Sequence, residues 1–255
     1  MNRNNHYLKS DRLKQIADYV EKGVTFADVG TDHGYLPLHL VENNCVDCAI
    51  LLDLNIGPLK IAWKNVMQTL GEELPFVPNT KVGGYEFRLG NGLAPLQNAE
   101  VDVIAIAGMG GELIVEILSE DKSKSESFVK YIFQPRTNSA ILRQWLYEND
   151  WSIVDESLAE ENGKLCELIV ASPTTNGSKY SPGSNPIIEF ELPTLLIKAK
   201  PHLLKKFVEY KIAVEEKIFE GLKKSNNANA REKLIETEQR ISVLKEIYKG
   251  VKEND

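Results

Sequence analysis

The sequence predicts a doubly wound α/β domain with a mostly parallel sheet, followed by a helical hairpin. Three observations predict it. An apolar run, Val24 to Val29, stops at a glycine turn and gives way to a helix-compatible segment. Short apolar runs then alternate with helical periodicity as far as residue 172, as strands and crossover helices do in a parallel sheet. Beyond a stretch rich in Ser, Gly, Pro, Asn and Thr, two long segments carry apolar stripes at helical spacing and no strand pattern. At 255 residues the chain can hold one full α/β domain and a smaller unit.

The elements follow in order. Leu8, Leu13, Ile16, Ala17 and Val20 recur at helical spacing behind Ser10, a plausible N-cap, and Gly23 closes that helix. After the first strand and the turn Gly30–Gly34, Tyr35 to Asn44 reads as a helix with Pro37 in its first turn. Val46 to Leu52 is a second strand ending in Asp53-Leu54-Asn55, and the next helix buries Ile61, Ala62, Val66 and Leu70. Leu74 to Thr80 reads as loop, and Val82 to Leu89 as one third strand ending in Gly90-Asn91-Gly92. Val101 to Ala107 is apolar throughout, as expected of a strand covered on both faces, and ends in Gly108-Met109-Gly110-Gly111. Val129 to Phe133 ends in Gln134-Pro135-Arg136, and Thr137 to Asn149 reads as a helix. Ile153–Ala159 and Leu165–Ala171, joined by Glu161-Asn162-Gly163-Lys164, form a closing hairpin and a single antiparallel edge.

Three domain segments are expected: 1–172 as the catalytic unit, 173–186 as linker and 187–255 as a helical coiled coil. Within the last, Leu203, Phe207, Tyr210, Val214 and Ile218 make one stripe, and Leu234, Ile241, Leu244 and Tyr248 the other, separated by Asn226, Asn227 and Asn229. Net charge is −7, which argues against a generic nucleic-acid coat. The charge is uneven, however: residues 187–255 hold 14 basic against 12 acidic side chains, and residues 1–186 hold 16 against 25. The polar N-terminus has no secretory signal pattern, and no apolar run is long enough for a membrane span, so a cytoplasmic protein is expected. Cys45-x-x-Cys48 lacks a second half-site, so the cysteines are expected to be structural thiols and no metal site is expected. Oligomeric state is not legible in the sequence; a monomer is the default.

In a doubly wound sheet the ligand lies beyond the carboxyl ends of the strands. The turns at 30–35, 53–55, 90–92, 108–111 and 134–136 all fall there. A dinucleotide's pyrophosphate would meet Asp32 in the first of these turns. At about 4 Å and an effective dielectric near 20, that repulsion is of order 4 kcal/mol, which disfavours NAD and FAD. No phosphate-binding P-loop pattern occurs. S-adenosylmethionine, with no phosphate and with a sulfonium and an ammonium, suits an acidic turn. Asp53 is placed for the ribose hydroxyls and Asn91, beside Gly92, for the adenine edge. Each residue has a structural alternative: Asp28 or Asp32 could cap a helix, Asp53 could be a turn acid, and the glycines could be turns only. Taken together at corresponding strand ends, they favour a ligand site.

The strings Asp28-Val29-Gly30-Thr31-Asp32-His33-Gly34-Tyr35-Leu36-Pro37, Ala105-Ile106-Ala107-Gly108-Met109-Gly110-Gly111 and Gln134-Pro135 resemble the bacterial tRNA adenine-N1 methyltransferases of the TrmK family, which modify adenine 22. The resemblance spans nearly the whole chain. It implies a class I, Rossmann-like methyltransferase fold, S-adenosylmethionine as cofactor, tRNA as substrate and a C-terminal helical domain that helps hold tRNA. It carries cofactor contacts onto Asp28, Gly30, His33, Gly34, Asp53, Asn91, Gly108 and Met109. Two departures from general class I patterns stand out: Asp32 replaces the second motif glycine, and Gly108-Met109-Gly110 stands where amino-directed enzymes carry N/D-P-P-Y.

Among these residues Asp32 is the catalytic candidate, as a carboxylate that could stabilise the cationic base formed when adenine N1 takes the methyl group. Tyr35 could stack on an extruded base. Arg136, Lys205, Lys206, Lys223 and Lys224 are candidate contacts to RNA phosphate, with a solvated surface or an acidic neighbour as the alternative. The competing readings are a methyltransferase acting on a small molecule or protein, and a non-catalytic RNA-binding protein of the same fold.

Overall fold

The computed structural model describes residues 10–173, 188, 190–192, 194–199, 202–224 and 230–252. Leu8, the three asparagines at 226, 227 and 229, and nearly all of the 173–186 segment fall outside them. The chain divides into two compact units, Met1–Tyr180 and Ser181–Asp255.

The first unit is built on α1 (Asp11–Asp18), β1 (Phe26–Val29), α2 (Tyr35–Glu42), β2 (Ala49–Asp53), α3 (Ile56–Leu70), β3 (Thr80–Val82), β4 (Tyr85–Leu89) and β5 (Val103–Gly110). It continues through α4 (Gly111–Glu120), the single turn α5 (Lys122–Ser125), β6 (Lys130–Thr137), α6 (Ser139–Glu148), β7 (Ser152–Glu161) and β8 (Lys164–Ser172). Eight strands make one sheet in the order β3-β4-β2-β1-β5-β6-β8-β7. The five from β4 to β6 are parallel, and their apolar side chains are buried because helices cover both faces. Chain order reverses between β1 and β5, so the ligand crevice of this topology opens at the carboxyl ends of those two strands.

Ser10 caps α1 as expected, accepting the Leu13 N–H at 3.3 Å. Three expectations change. The single strand 82–89 is a hairpin, in which Gly83-Gly84 turns β3 back antiparallel on β4. The sheet therefore has antiparallel strands at both edges. The strand ending in the Gly108 turn instead continues through it: β5 reaches Gly110 with a bulge at Gly108, whose φ is +79°. Beneath the sheet, Trp63, Phe76 and Phe87 pack edge to face with centroids 5.1–6.3 Å apart.

In the second unit, α7 (Thr194–Ala199) precedes two long helices, α8 (Leu204–Lys223) and α9 (Ala230–Lys252), which pack together. On α9 the expected stripe is the covered one, with Leu244 fully buried and Leu234, Ile241 and Tyr248 half-buried. On α8 the expected stripe holds only at its start, Leu203 and Phe207. Leu204, Phe207, Val208 and Glu215 are buried, while Tyr210, Val214 and Ile218 are exposed. The covered face of α8 includes charges: Glu215 takes Arg240 of α9 at 2.6 Å, and Lys211 and Arg240 share Glu191. A hydrophobic count passes over a face that is closed by ion pairs.

Candidate active site

The turn after β1 is fixed before any ligand arrives. Gly30 and Thr31 both donate backbone N–H groups to the Leu52 carbonyl, at 2.8 and 3.0 Å, tying the turn to β2. Gly30 has φ +75°, and a Cβ there would lie 2.2 Å from the Met109 Cε of the neighbouring strand β5. Gly34, with φ +69°, is the N-cap of α2 and sits against Ala62 and Leu51. Both positions favour glycine for their left-handed backbone, and at Gly34 the contacts with Ala62 and Leu51 at 3.0 Å add a limit of space.

Asp28 is buried, and its carboxylate accepts the Thr31 hydroxyl at 2.7 Å. Burial pushes its carboxyl up to about 6; the Thr31 bond and the Arg12 charge oppose that shift, and Asp53 and Asp32 add to it. Asp53 at the end of β2 is raised as well, mainly by burial, with partial relief from the backbone N–H groups of Asn55 and Asp32. The Asn55 bond is 2.8 Å. Asp32 stands in the left-handed region, φ +50°, with its side chain 69% exposed and 3.6 Å from the His33 imidazole. It does not cap α2: Gly34 occupies that position, and no described helix amide donates to the Asp32 carboxylate. The His33 and Tyr35 rings stack in parallel, centroids 5.4 Å apart.

These groups line one cleft of about 1190 Å³. Asp28, Gly30, Asp32, His33, Tyr35, Asp53, Asn91, Gly92, Gly108, Met109 and Arg136 all contribute to its wall. Gly34 does not; it serves the turn. Gly92 also fits tightly, since a Cβ would meet Ile117 Cγ2 at 2.9 Å. Gly108 faces open space, so the wall is bare backbone there. The Asn91 amide donates to Glu120 at 3.1 Å. Lys205, Lys206, Lys223 and Lys224 lie in the second unit. There Lys223 pairs with Glu220 at 2.9 Å and covers the Phe219 ring at 4.4 Å.

Sequence reasoning reached one side of the cleft only at Gln134-Pro135-Arg136 and missed the rest of it. Arg12 of α1, Gln134 of β6 and Glu161, Asn162, Lys164 and Cys166 of the hairpin line it too. Arg12 donates to Gln134 Oε1 at 3.0 Å and to Glu161 at 3.1 Å, and the Ser10 hydroxyl also bonds Glu161. Arg12 and Glu161 are 149 positions apart, so local pattern carries no trace of the contact. Thr31, three residues after Asp28, was the one legible addition.

The cleft suits S-adenosylmethionine on its own geometry. Carboxylates stand where a dinucleotide would need amides alone, bare glycine backbone lies at the switch point, and the carboxylate of Asp53 ends β2 in the cleft wall. The fold and cleft thus define a Rossmann-like methyltransferase, and residues 9–169 match the sequence family described as a methyltransferase domain. The tRNA (adenine(22)-N(1))-methyltransferase of Bacillus subtilis strain 168 is 31% identical over 245 residues, 95% of this chain and 98% of that one. The crystal structure of the B. subtilis m1A22 tRNA methyltransferase TrmK superposes with a TM-score of 0.79 at 31% identity, covering 94% and 98% of the two chains. A Streptococcus pneumoniae relative solved with S-adenosyl-L-methionine gives 0.73 at 32% identity (94% and 99%). M. capricolum TrmK, solved with S-adenosyl-homocysteine, gives 0.73 at 30% identity (96% and 100%). The chain belongs to the tRNA (adenine(22)-N(1))-methyltransferase family.

Proposed function

We propose that this protein transfers the methyl group of S-adenosylmethionine to N1 of adenine 22 in tRNA, acting in the cytoplasm. One observation carries the reading. Asp28, Asp32 and Asp53 converge on a single cleft in a chain that follows a tRNA (adenine(22)-N(1))-methyltransferase along 95% of its length.

S-adenosylmethionine supplies a methyl group on a sulfonium. The chain's residues bind and orient the partners. Asp53 takes the ribose hydroxyls, Asn91 the adenine edge, and Asp28 the ammonium, with the Gly30 and Gly108 backbones close against the cofactor. Adenine N1 carries a lone pair, so a base held in the cleft would need no deprotonation to accept a methyl group from bound cofactor, and the methylated base would carry a positive charge. Asp32, exposed and unencumbered by a helix cap, is the carboxylate available to stabilise that charge. The His33–Tyr35 stack at the cleft wall offers a face for an extruded base. Arg136 and the lysines of α8 at 205, 206 and 223, with Lys224 just beyond it, are the candidate phosphate contacts, and residues 187–255 the tRNA-holding domain.

The test is methyl transfer from labelled cofactor to unmodified tRNA, followed by identification of the modified nucleoside. 1-Methyladenosine at position 22 is expected. Label in another nucleoside, or none in tRNA, overturns the assignment.

A further inference from the structure

The β7–β8 hairpin continues beyond its pairing with β6. Its last rung against β6 is Phe133–Ile169, yet β7 and β8 remain paired out to Glu161–Lys164. At about 3.3 Å per residue the ribbon projects roughly 16 Å beyond that rung, on the side where the parallel strands end. A two-stranded ribbon is marginally stable alone. Its tip is well formed, because Asn162 and Gly163, φ +51° and +75°, make the two-residue turn that Asn-Gly favours. What holds the ribbon in place is the start of α1.

Glu161, the last residue of β7, is gripped on both oxygens, one by the Ser10 hydroxyl and the other by Arg12 Nε at 3.1 Å. Burial opposes its ionisation, but those two donors outweigh the cost and hold its carboxyl below the usual range. The same guanidinium reaches β6, donating from Nη1 to Gln134 Oε1 at 3.0 Å. Arginine has only donors, so the oxygen of the Gln134 amide must face it, and the amide nitrogen turns to the Pro135 carbonyl at 3.0 Å. One planar fork thus ties α1, β6 and the hairpin tip together across the cleft, opposite the acidic turn. At that end Lys164 and Arg136 line the cleft; Lys164 is exposed, and the Arg136 charge also acts on Glu161.

We propose that Arg12 is a positioning residue for the tRNA substrate: by clamping Glu161 and Gln134 it fixes the hairpin tip as the acceptor-side wall of the cleft, with Lys164 presented to backbone phosphate. This rests on the tRNA reading above. Arg12 acts through the tip and makes no contact with the methyl group.

The test compares Arg12→Ala, Arg12→Lys, Lys164→Ala and the double variant Arg12→Ala/Lys164→Ala in the full chain. Assays are run at about pH 8, where Asp28, which faces Arg12, Asp32, Asp53 and the Thr31 hydroxyl, is ionised with or without Arg12. Arg12→Ala should raise KM for tRNA about tenfold or more while the calorimetric Kd for S-adenosylmethionine stays within about twofold. Arg12→Lys can keep one point contact but not the fork, and should fall between. The double variant should lose less than the two single losses combined, since both act through one tip. An unchanged KM for tRNA, an equal loss of cofactor affinity, or strict additivity with Lys164→Ala overturns the proposal. Should Arg12→Ala not fold, Arg12→Lys with and without Lys164→Ala decides by the same criteria. Unaltered protein that methylates no tRNA removes the function itself, and the proposal with it.

Discussion

Asp28 is a buried carboxylate in the cleft wall, and its proposed contact with the cofactor is set against the cost of its burial. Its carboxyl titrates near 6 in the native protein against 3.8 ordinarily. A raised native value means the stabilising contribution is complete below about pH 4 and is lost as pH rises through 6. At neutral pH the buried carboxylate therefore costs up to about 3 kcal/mol, the equivalent of a two-unit shift. Asp28→Asn can still accept the Thr31 hydroxyl. It should raise Tm by several degrees at about pH 7.5, with little effect near pH 4, while weakening S-adenosylmethionine binding tenfold or more. A Tm difference that does not grow with pH would show that burial of the charge is not the cause. Asp32 makes the opposite case, exposed and outside the helix cap. Asp32→Asn keeps a residue that tolerates φ +50° and removes only the charge. Turnover should fall on the order of tenfold to a hundredfold with cofactor Kd unchanged; equal turnover would exclude a charge-stabilising role. The carboxylate of Asp32 was legible in the sequence. Its left-handed backbone was not, because only the tertiary fold imposes that conformation.

Among the elements, periodicity located the parallel strands most clearly at β2 and β5, which are the near-continuous apolar runs. It merged β3 with β4 because Gly83-Gly84 interrupts a strand-like sequence without changing its composition. It misassigned the covered face of α8 because Glu215 and Lys211 belong to that face and are neutralised by Arg240 and Glu191. The same blindness hid Arg143 of α6, fully buried between Glu156 and Glu167, each at 2.7 Å. Close approaches of backbone were half legible. Gly111 opens α4 with an ordinary φ, yet a Cβ there would lie 2.2 Å from the Asn138 carbonyl oxygen of the loop before α6. Gly163 has φ +75° but open space around it. Gly111→Ala must push two packed elements apart and should cost about 2 kcal/mol or more. Gly163→Ala strains only its own backbone, at about 1 kcal/mol. Denaturant midpoints of the two variants give the comparison, and a smaller loss at Gly111 would contradict the packing.

For the molecule as a whole, the charge distribution constrains how RNA can be held. A chain of net charge −7 does not attract tRNA through its overall field, so affinity must come from local cations. The surplus of basic residues lies in 187–255, and the sequence alone singles out that segment. What the sequence could not show is that lysines there differ in availability. Lys223 is already engaged by Glu220 and the Phe219 ring, whereas Lys224 is exposed just beyond the helix end. Removing all four candidates, Lys205, Lys206, Lys223 and Lys224, should weaken tRNA binding and flatten the slope of log K against log salt by about 0.7–0.9 for each phosphate no longer neutralised. Lys223→Ala alone should contribute less to that change than Lys224→Ala. Cofactor affinity, governed by the acidic cleft of the first unit, should stay within about twofold. A salt slope that is unchanged in the fourfold variant would move the phosphate contacts off these lysines and leave Arg136 and Lys164 at the cleft to supply them.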